Sequence, residues 1–458
     1  MSMSFMADQT LIRLRFINEL TNTITVPDRF AREYGLIPGD DVTVRFGSWQ
    51  KKAGIKTDSE SAPDTIGVSF SLFPFKGLLK ADTPYYLKFP KRDTWQIGPL
   101  FAMLVNEGTE DLSAPFGAIS TFARELAEYA SSVCAAFVVI PLKQRLEDSD
   151  LQGFYLKGET WTFGEIPYPD VIYNRISTPK KESSKKGKLI LGKAREKNIP
   201  FFNDRFIHKW EMHQILSDQE TLRPYLPDTV LANDREGFFQ FTKRYSQLYL
   251  KPVWGREGNG ILRITCHDHS IEAEYPSDTA EKSVHFRSFD HFYSMLLPRF
   301  KEKGYLVQEA IPLLTINDCL IDIRVLTVKS ESGLWGVASK IARCGVKDQI
   351  VSNVAKGGEQ KKVIETLEGL FPELHTFHLI RFLNELAVET AFTIEEALGE
   401  TGCYGEFGVD IGIDCNGHPW ILEVNSKPSK SYDSPDQDKV RPSVKRLLSY
   451  CHYLSPFD

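Results

Sequence analysis

Glu406-Phe407-Gly408-Val409-Asp410-Ile411-Gly412-Ile413-Asp414 is followed, five residues on, by Trp420-Ile421-Leu422-Glu423-Val424-Asn425. Both runs alternate with the period of two that marks a β-strand. Val409, Ile411 and Ile413 share one expected face of the first; Trp420, Leu422 and Val424 share one face of the second. Asn416-Gly417 between them is a strong two-residue hairpin signal. With those two residues as the loop, Cys415 pairs with His418, Asp410 falls opposite Glu423, and Gly408 falls opposite Asn425. Two carboxylates directly across from each other repel. The apolar opposite face keeps them from turning away by a one-residue slip. A divalent cation resolves the conflict, because Asp, Glu and the Asn carbonyl are hard oxygen donors suited to Mg²⁺ on nucleotide phosphates. Water-screened charges on an exposed hairpin are the plainer alternative. Asn425 on the same strand face, and a glycine-rich loop upstream, weigh against it.

That loop lies in Tyr249-Leu250-Lys251-Pro252-Val253-Trp254-Gly255-Arg256-Glu257-Gly258-Asn259-Gly260-Ile261. An apolar strand delivers Lys251, glycines follow at 255, 258 and 260, and a second strand, Ile261–Ile264, closes a hairpin. Glycines lack Cβ atoms, so backbone N–H groups can approach a polyphosphate closely. Lysine adds a point charge for phosphate oxygens. The segment is neither a Walker A loop nor G-x-G-x-x-G. Taken alone, it reads equally well as a plain tight turn.

A chain of 458 residues corresponds to about three domains. Hydrophobic residues at 42% and charged residues at 25% give the balance of a globular protein and exclude a disordered or fibrous chain. Lys and Arg number 55 against 61 Asp and Glu, a net charge of −6; this argues against a general nucleic-acid binder. No run approaches 18 apolar residues, so no membrane helix is expected. Asp8, Arg13 and Arg15 interrupt what would be the apolar region of an export signal. The seven cysteines are dispersed without a C-x-x-C, which argues against a disulfide framework or a zinc site and fits a reducing cytoplasm.

Residues 11–46 read strand, helix, strand, with Asp28 as N-cap of a helix through Arg29–Tyr34 and Gly35 ending it. Val26-Pro27-Asp28-Arg29-Phe30 and Leu36-Ile37-Pro38-Gly39-Asp40-Asp41-Val42 resemble the swapped-hairpin motif of AbrB-like transcription factors. The reading adopted is a β-rich accessory domain, 1–95, that uses the same turn. From Gly98, strands alternate with helices: Pro99–Val105, Ala118–Ser131, Ala135–Ile140 and Asp170–Asn174, with a hairpin turning at Lys157-Gly158. The pattern implies a small parallel α/β domain, 96–198. Lys180–Lys197 holds eight basic and two acidic residues. It reads as a solvated face, with an anionic ligand or surface as the sharper alternative.

The two glycine- and carboxylate-bearing segments, in this order, resemble the ATP-grasp superfamily. Supporting pieces lie around them. Leu306-Val307-Gln308-Glu309-Ala310-Ile311 resembles the hinge strand that meets adenine and ribose, and Asp322-Ile323-Arg324-Val325 resembles the D-x-R strand. Ile341-Ala342-Arg343, Ser352-Asn353-Val354 and Gly357-Gly358 resemble the arginine strand with its Asn and Gly-Gly loop. Phe202-Asn203 and His208-Lys209 resemble the helix bearing the first nucleotide lysine. Within the superfamily the likeness is to the YheC/YheD family, associated by name with the endospore coat. Asn425-Ser426-Lys427-Pro428 matches there; enzymes that add glutamate to carboxylates usually carry Gly next, where this chain has Ser429.

The resemblance implies an α/β (α+β) ATP-grasp fold over 199–458, with a nucleotide subdomain at 199–305 and a metal and catalytic subdomain at 306–458. It implies an ATP- and Mg²⁺-dependent ligase that joins a carboxylate to an amine or thiol through an acylphosphate. Lys209, Lys251 and the loop glycines Gly255, Gly258 and Gly260 would bind phosphates, and Gln308 and Glu309 the nucleoside. Asp410, Glu423 and Asn425 would hold Mg²⁺, while Arg343 and Arg324 would serve the transferring phosphoryl group. The substrates are not named by the sequence; the basic 180–197 run would suit an acidic acceptor, a peptide or protein among them. The resemblance fits a cytoplasmic protein with a spore association. An ATP-binding coat or assembly protein without turnover, and a kinase-like phosphotransferase, are the alternatives. No rival catalytic set emerges: Cys266-His267 and Cys451-His452 are only sequence neighbours, and His208, His213, His375 and His378 have helical spacing without carboxylate company.

Overall fold

The fold is that of a computed structural model describing residues 9–75, 77–81, 83–91, 93–142, 151–255, 258–275, 282–345, 358–399, 402–430 and 439–457. Contacts divide the chain into two compact units. The first is Met1–Arg205 with Lys329–Leu334 and Ser429–Asp458; the second is Phe206–Val328 with Trp335–Pro428.

In the first unit, seven strands close a barrel: β1 (Gln9–Ile17), β2 (Thr23–Pro27), β3 (Asp41–Phe46), β4 (Trp49–Asp58), β5 (Thr65–Ser69), β6 (Pro84–Lys91) and β7 (Thr94–Gly98), in the order β1-β5-β2-β4-β3-β7-β6. Alternate residues fill its interior, among them Ile12 and Leu14, Ile24 and Val26, Val42, Val44 and Phe46. Closure leaves no unpaired strand edge. The helix between β2 and β3, α1 (Asp28–Glu33), begins one residue earlier than expected: Pro27 is its N-cap and no side chain caps it. Gly35, at φ +60°, follows its end.

The α/β expectation is met by β8 (Leu100–Val105), β9 (Ala136–Pro141), β10 (Leu151–Lys157), β11 (Thr160–Ile166), β12 (Val171–Asn174) and β13 (Phe201–Phe202), in the order β11-β10-β9-β8-β12-β13. The strands β9, β8, β12 and β13 are parallel. Lys157 pairs with Thr160, so the β10–β11 loop is Gly158-Glu159 rather than Lys157-Gly158. Gly158 sits there at φ +60°. Helix α2 (Ser120–Ser132) packs on β9, while α3 (Pro179–Glu182) and α4 (Lys185–Glu196) carry the basic run. In α4, Ile190, Leu191 and Ala194 are buried and Lys185, Lys186 and Lys188 are exposed. The run is therefore the solvated side of an amphipathic helix.

One hydrophobic core runs through both the barrel and this sheet. The C-terminal helix Pro442–Leu454, expected within the 199–458 domain, packs on α2 and β12 in this first unit and buries Val444, Leu447, Leu448 and Tyr450.

The second unit begins with α5 (Lys209–Ser217). Its first sheet holds β14 (Thr229–Leu231), β15 (Gln247–Pro252), β16 (Leu262–Cys266), β17 (Ile271–Tyr275), β18 (Lys282–Phe286) and β19 (Tyr305–Glu309), in the order β14-β19-β15-β16-β17-β18. Helices α6 (Arg235–Arg244) and α7 (Phe289–Lys303) share its core with Leu248, Leu250, Leu262, Ile264 and Val307. The second sheet runs β23-β22-β21-β24-β25, with β20 (Thr315–Ile316) beside β21 (Cys319–Lys329). Its other strands are β22 (Trp335–Cys344), β23 (Glu359–Lys361), β24 (Glu406–Ile413) and β25 (Pro419–Asn425). Helices α8 (Val363–Glu368) and α9 (Glu373–Leu398) complete its core with α5.

Candidate active site

All twelve expected site residues lie in the second unit. Strand β15 alternates, with Leu248 and Leu250 in the core and Tyr249 and Lys251 on the other side. Gln308 on the neighbouring β19 stands opposite Tyr249. Its Oε1 accepts from Lys251 Nζ at 2.5 Å, and its Nε2 donates to Thr229 Oγ1 at 3.1 Å. Burial, and then the neighbouring Lys209, lower the Lys251 ammonium to about 8, against the pull of Glu423 and Asp410. Glu309 is turned to Asp228, whose N–H donates to Glu309 Oε1 at 2.9 Å.

The glycine-rich segment forms the expected β15–β16 hairpin, with Leu250 opposite Leu262. Gly258 and Gly260 adopt φ values of +69° and +78°, where glycine avoids the Cβ penalty. Arg256 and Glu257 lie outside the described residues, as do Ser352, Asn353, Val354 and Gly357. The Gly255 carbonyl accepts from Lys209 Nζ at 3.3 Å. Lys209 is the first residue of α5, and the His208 Nδ1 caps that helix by accepting from the Glu211 N–H at 3.1 Å. The same Lys209 ammonium lies 2.6 Å from Glu423 Oε1.

Across three neighbouring strands, Arg324 on β21 pairs with Asp410 on β24, and Asp410 pairs with Glu423 on β25. Gly408 pairs with Asn425 in the next row. The carboxylates face each other as the alternation implied, but by a different route. Asp414, not Cys415, pairs with His418: its N–H donates to the His418 carbonyl at 3.0 Å. The loop is thus Cys415-Asn416-Gly417, with Gly417 at φ +82°. Below it, Ile411 pairs with Ile421 and Asp410 with Glu423, so Leu422 is an extra residue in a β-bulge. The longer loop and the bulge cancel. The bulge also corrects the expected face, because Ile421 and Val424 enter the core while Trp420 and Leu422 do not. Trp420 Nε1 instead donates to Asp414 Oδ2 at 3.1 Å.

The repulsion expected between the two acids is met by the chain's own cations. Arg324 donates from Nε to Asp410 Oδ1 and from a terminal nitrogen to Oδ2, the latter at 2.8 Å. Arg343 on β22 reaches Asp410 Oδ1 at 3.0 Å, and its Nε donates to Asp322 Oδ1 at 2.5 Å. Asn425 Nδ2 lies 3.4 Å from Asp410 Oδ2. Burial alone would raise the Asp410 carboxyl; the two guanidiniums more than reverse that and hold it at about 2. Burial would lower Arg343, but Asp410 and Asp322 raise it above the ordinary arginine range.

Glycines flank Asp410 along its strand. A Cβ on Gly408 would stand 2.8 Å from Pro428 Cβ and 3.4 Å from Arg324 Cδ; one on Gly412 would stand 2.5 Å from Leu313 Cδ2. Asp322, 3% exposed, was given no role by the sequence reading. Its signal was parity: it shares the alternation of Arg324, between Ile321, Ile323 and Val325.

Among the described residues no three His, Cys, Asp or Glu side chains form a ready-made metal cluster. Two carboxylates and an amide still make a hard-oxygen set, and its chemistry fits Mg²⁺. A strand lysine that leads into a glycine-rich hairpin, a helix lysine and an acid-and-arginine sheet define an ATP-grasp protein. Residues 198–454 match the YheC/D-like ATP-grasp family, and the chain belongs to it. It is similar to the endospore coat-associated protein YheD of Bacillus subtilis (strain 168), with 28% identity over 373 residues, 79% of this chain and 80% of the relative. It is also similar to YheC of the same organism, with 24% identity over 299 residues, 65% of this chain and 80% of the relative. A solved D-alanyl-alanine synthetase A from Vibrio cholerae aligns with a TM-score of 0.46 and 12% identity, over 78% of this chain and 97% of that one. No described helix is long and apolar enough to cross a membrane.

Proposed function

We propose that this chain is an ATP- and Mg²⁺-dependent ligase that joins a carboxylate to an amine or thiol through an acylphosphate. The observation that carries the proposal is the Arg324–Asp410–Glu423 row, with Arg343 and Lys209 on the same carboxylates, in a chain of the ATP-grasp family. Lys209 and Lys251 would take the α- and β-phosphate oxygens, with Gly255, Gly258 and Gly260 offering backbone contacts beside them. Gln308 and Glu309 would meet adenine and ribose. Asp410, Glu423 and the Asn425 amide, turned to present its oxygen, would hold Mg²⁺. When bound, the ion supplies charge neutralisation across the phosphates.

In the first step a substrate carboxylate oxygen bonds to the γ-phosphorus and the bond to the β,γ-bridging oxygen breaks, releasing ADP. In the second, the amine nitrogen attacks the acyl carbon, inorganic phosphate departs with the carbon–oxygen electron pair, and the proton that the nitrogen loses passes to the departing phosphate or to water. Arg343, anchored on Asp322, and Arg324 would offset the charge on the transferred group and then on the oxyanion.

The test is release of ADP and phosphate across a panel of carboxylate and amine pairs, with Asp410→Asn as control. Absence of ADP with every pair, while ATP still raises the melting temperature, would refute turnover. The names of the relatives support a second reading, an ATP-binding assembly protein of the spore coat. In that case Asp410→Asn leaves the biological role intact. A stable phosphorylated product would instead mark a kinase-like enzyme.

A further inference from the structure

We propose that Lys209 and Arg324 are exchangeable counter-ions of Glu423 and Asp410, so that the site accepts a divalent cation only after a nucleotide polyphosphate has drawn those two cations away. The proposal rests on the reading of Asp410 and Glu423 as metal donors.

Both oxygens of Asp410 are taken by Arg324, and one is shared with Arg343. Glu423 Oε1 is taken by Lys209 at 2.6 Å, with side-chain exposures of 26% for Glu423 and 15% for Lys209. A metal ion that takes Asp410 and Glu423 Oε1 in the nucleotide-free chain therefore displaces charge-assisted bonds.

The local charge points the same way. Among the described side chains joined by these contacts, Asp322, Asp410 and Glu423 stand against Lys209, Lys251, Arg324 and Arg343, a net of +1. A divalent ion alone raises that to +3, whereas a polyphosphate lowers it. Attraction and repulsion at these distances are worth several-fold to many-fold in affinity. The anchors of Arg343 and Lys209 also differ. Arg343 keeps Asp322 when Asp410 turns to a metal, so it stays in place. Lys209 carries its second contact on Gly255, in the phosphate loop, so on leaving Glu423 it is already directed to that loop.

The test has two titrations on the full chain. Free Mn²⁺ is followed by electron paramagnetic resonance without nucleotide, and AMPPNP binding is measured by calorimetry in Mg²⁺ and in EDTA. Lys209→Met is expected to tighten nucleotide-free Mn²⁺ binding about tenfold and to weaken AMPPNP, two changes of opposite sign that a folding defect does not produce. Lys209→Arg should restore the wild-type pattern. Equal Mn²⁺ affinity in wild type and Lys209→Met, or a fall in both affinities together, overturns the proposal. Glu423→Gln separates this from failure of the metal-donor reading. If AMPPNP affinity is the same in Mg²⁺ and EDTA and Glu423→Gln changes neither, the carboxylates are not metal donors and both ideas fall. If metal dependence is present and lost in Glu423→Gln, while Lys209→Met leaves Mn²⁺ binding unchanged, only the counter-ion exchange falls.

Discussion

Replacing Asp322 tests how Arg343 is held. Asp322 is 3% exposed and accepts from Arg343 Nε at 2.5 Å, while Arg343 keeps a second carboxylate, Asp410, at 3.0 Å. Removing one partner of a buried ion pair outright costs about 3–5 kcal/mol. Arg343 is left with Asp410, so Asp322→Ala should cost less, about 2–3 kcal/mol. Asp322→Asn keeps an acceptor oxygen in the same place and should cost about 1 kcal/mol, the difference between a charged and a neutral hydrogen-bond partner. Opening free energies from hydrogen exchange, read on peptides spanning β21 and β22, report this locally. The pair Asp322→Ala and Asp410→Asn should be non-additive, because the double variant strips Arg343 of both carboxylates. An Ala variant within about 0.5 kcal/mol of wild type, or an Asn variant as costly as Ala, would refute the anchoring argument.

Other outcomes follow from the same geometry. Gly408→Ala places its Cβ against the Pro428 ring and Arg324, and should cost about 2 kcal/mol. Gly412→Ala meets only the mobile end of Leu313 and the tip of Leu422 and should cost less, with chemical denaturation ranking the two. The Asp410 carboxyl, held at about 2 against an ordinary 3.8, contributes about 2 kcal/mol at neutral pH. That contribution is present above the unfolded value and is lost as pH falls from about 4 towards 2; Asp410→Asn should abolish this part of the acid-unfolding profile. Lys251, lowered to about 8, is charged below that pH and neutral above it. The thermal shift produced by AMPPNP should therefore shrink as pH rises through about 8, and Lys251→Arg, charged throughout, should flatten the profile. Deleting Leu422 removes the bulge yet leaves Asp410 opposite Glu423 in a regular ladder. Nucleotide stabilisation in Mg²⁺ should survive that deletion, and its loss would show that the bulge itself shapes the site.

The strands and their faces were legible wherever apolar residues alternate, because burial of one face fixes parity locally. The barrel interior and the Lys251 strand are such cases, whereas β8 and β9 were legible as continuous apolar runs buried on both faces. What pairs with what over a distance was not. The parallel β1–β5 ladder joins segments some fifty residues apart in the chain, and the periodicity of the C-terminal helix says nothing about which core receives it. The turn after β24 was half legible. Asn416-Gly417 marked it, but its length follows from Asp414, whose Oδ1 accepts from the Asn416 and His418 N–H groups at 2.9 and 3.0 Å. An aspartate that opens a turn in this way, with glycine in the third loop position, favours the three-residue form. The bulge at Leu422 left no such mark, since Trp420, Leu422 and Val424 alternate as they would in a regular strand.

The paired carboxylates show most clearly where local reasoning ends. A two-strand register correctly places Asp410 against Glu423 and correctly makes their repulsion a problem. It cannot say what solves it, because the answers come from other elements. Arg324 arrives from β21, Arg343 from β22 and Lys209 from the first residue of α5. A metal ion is one remedy for opposed acids, and three protein cations are another. Opposed carboxylates on a hairpin therefore call for counter-ions, and the identity of those ions is decided by residues elsewhere in the chain, one of them more than two hundred positions away.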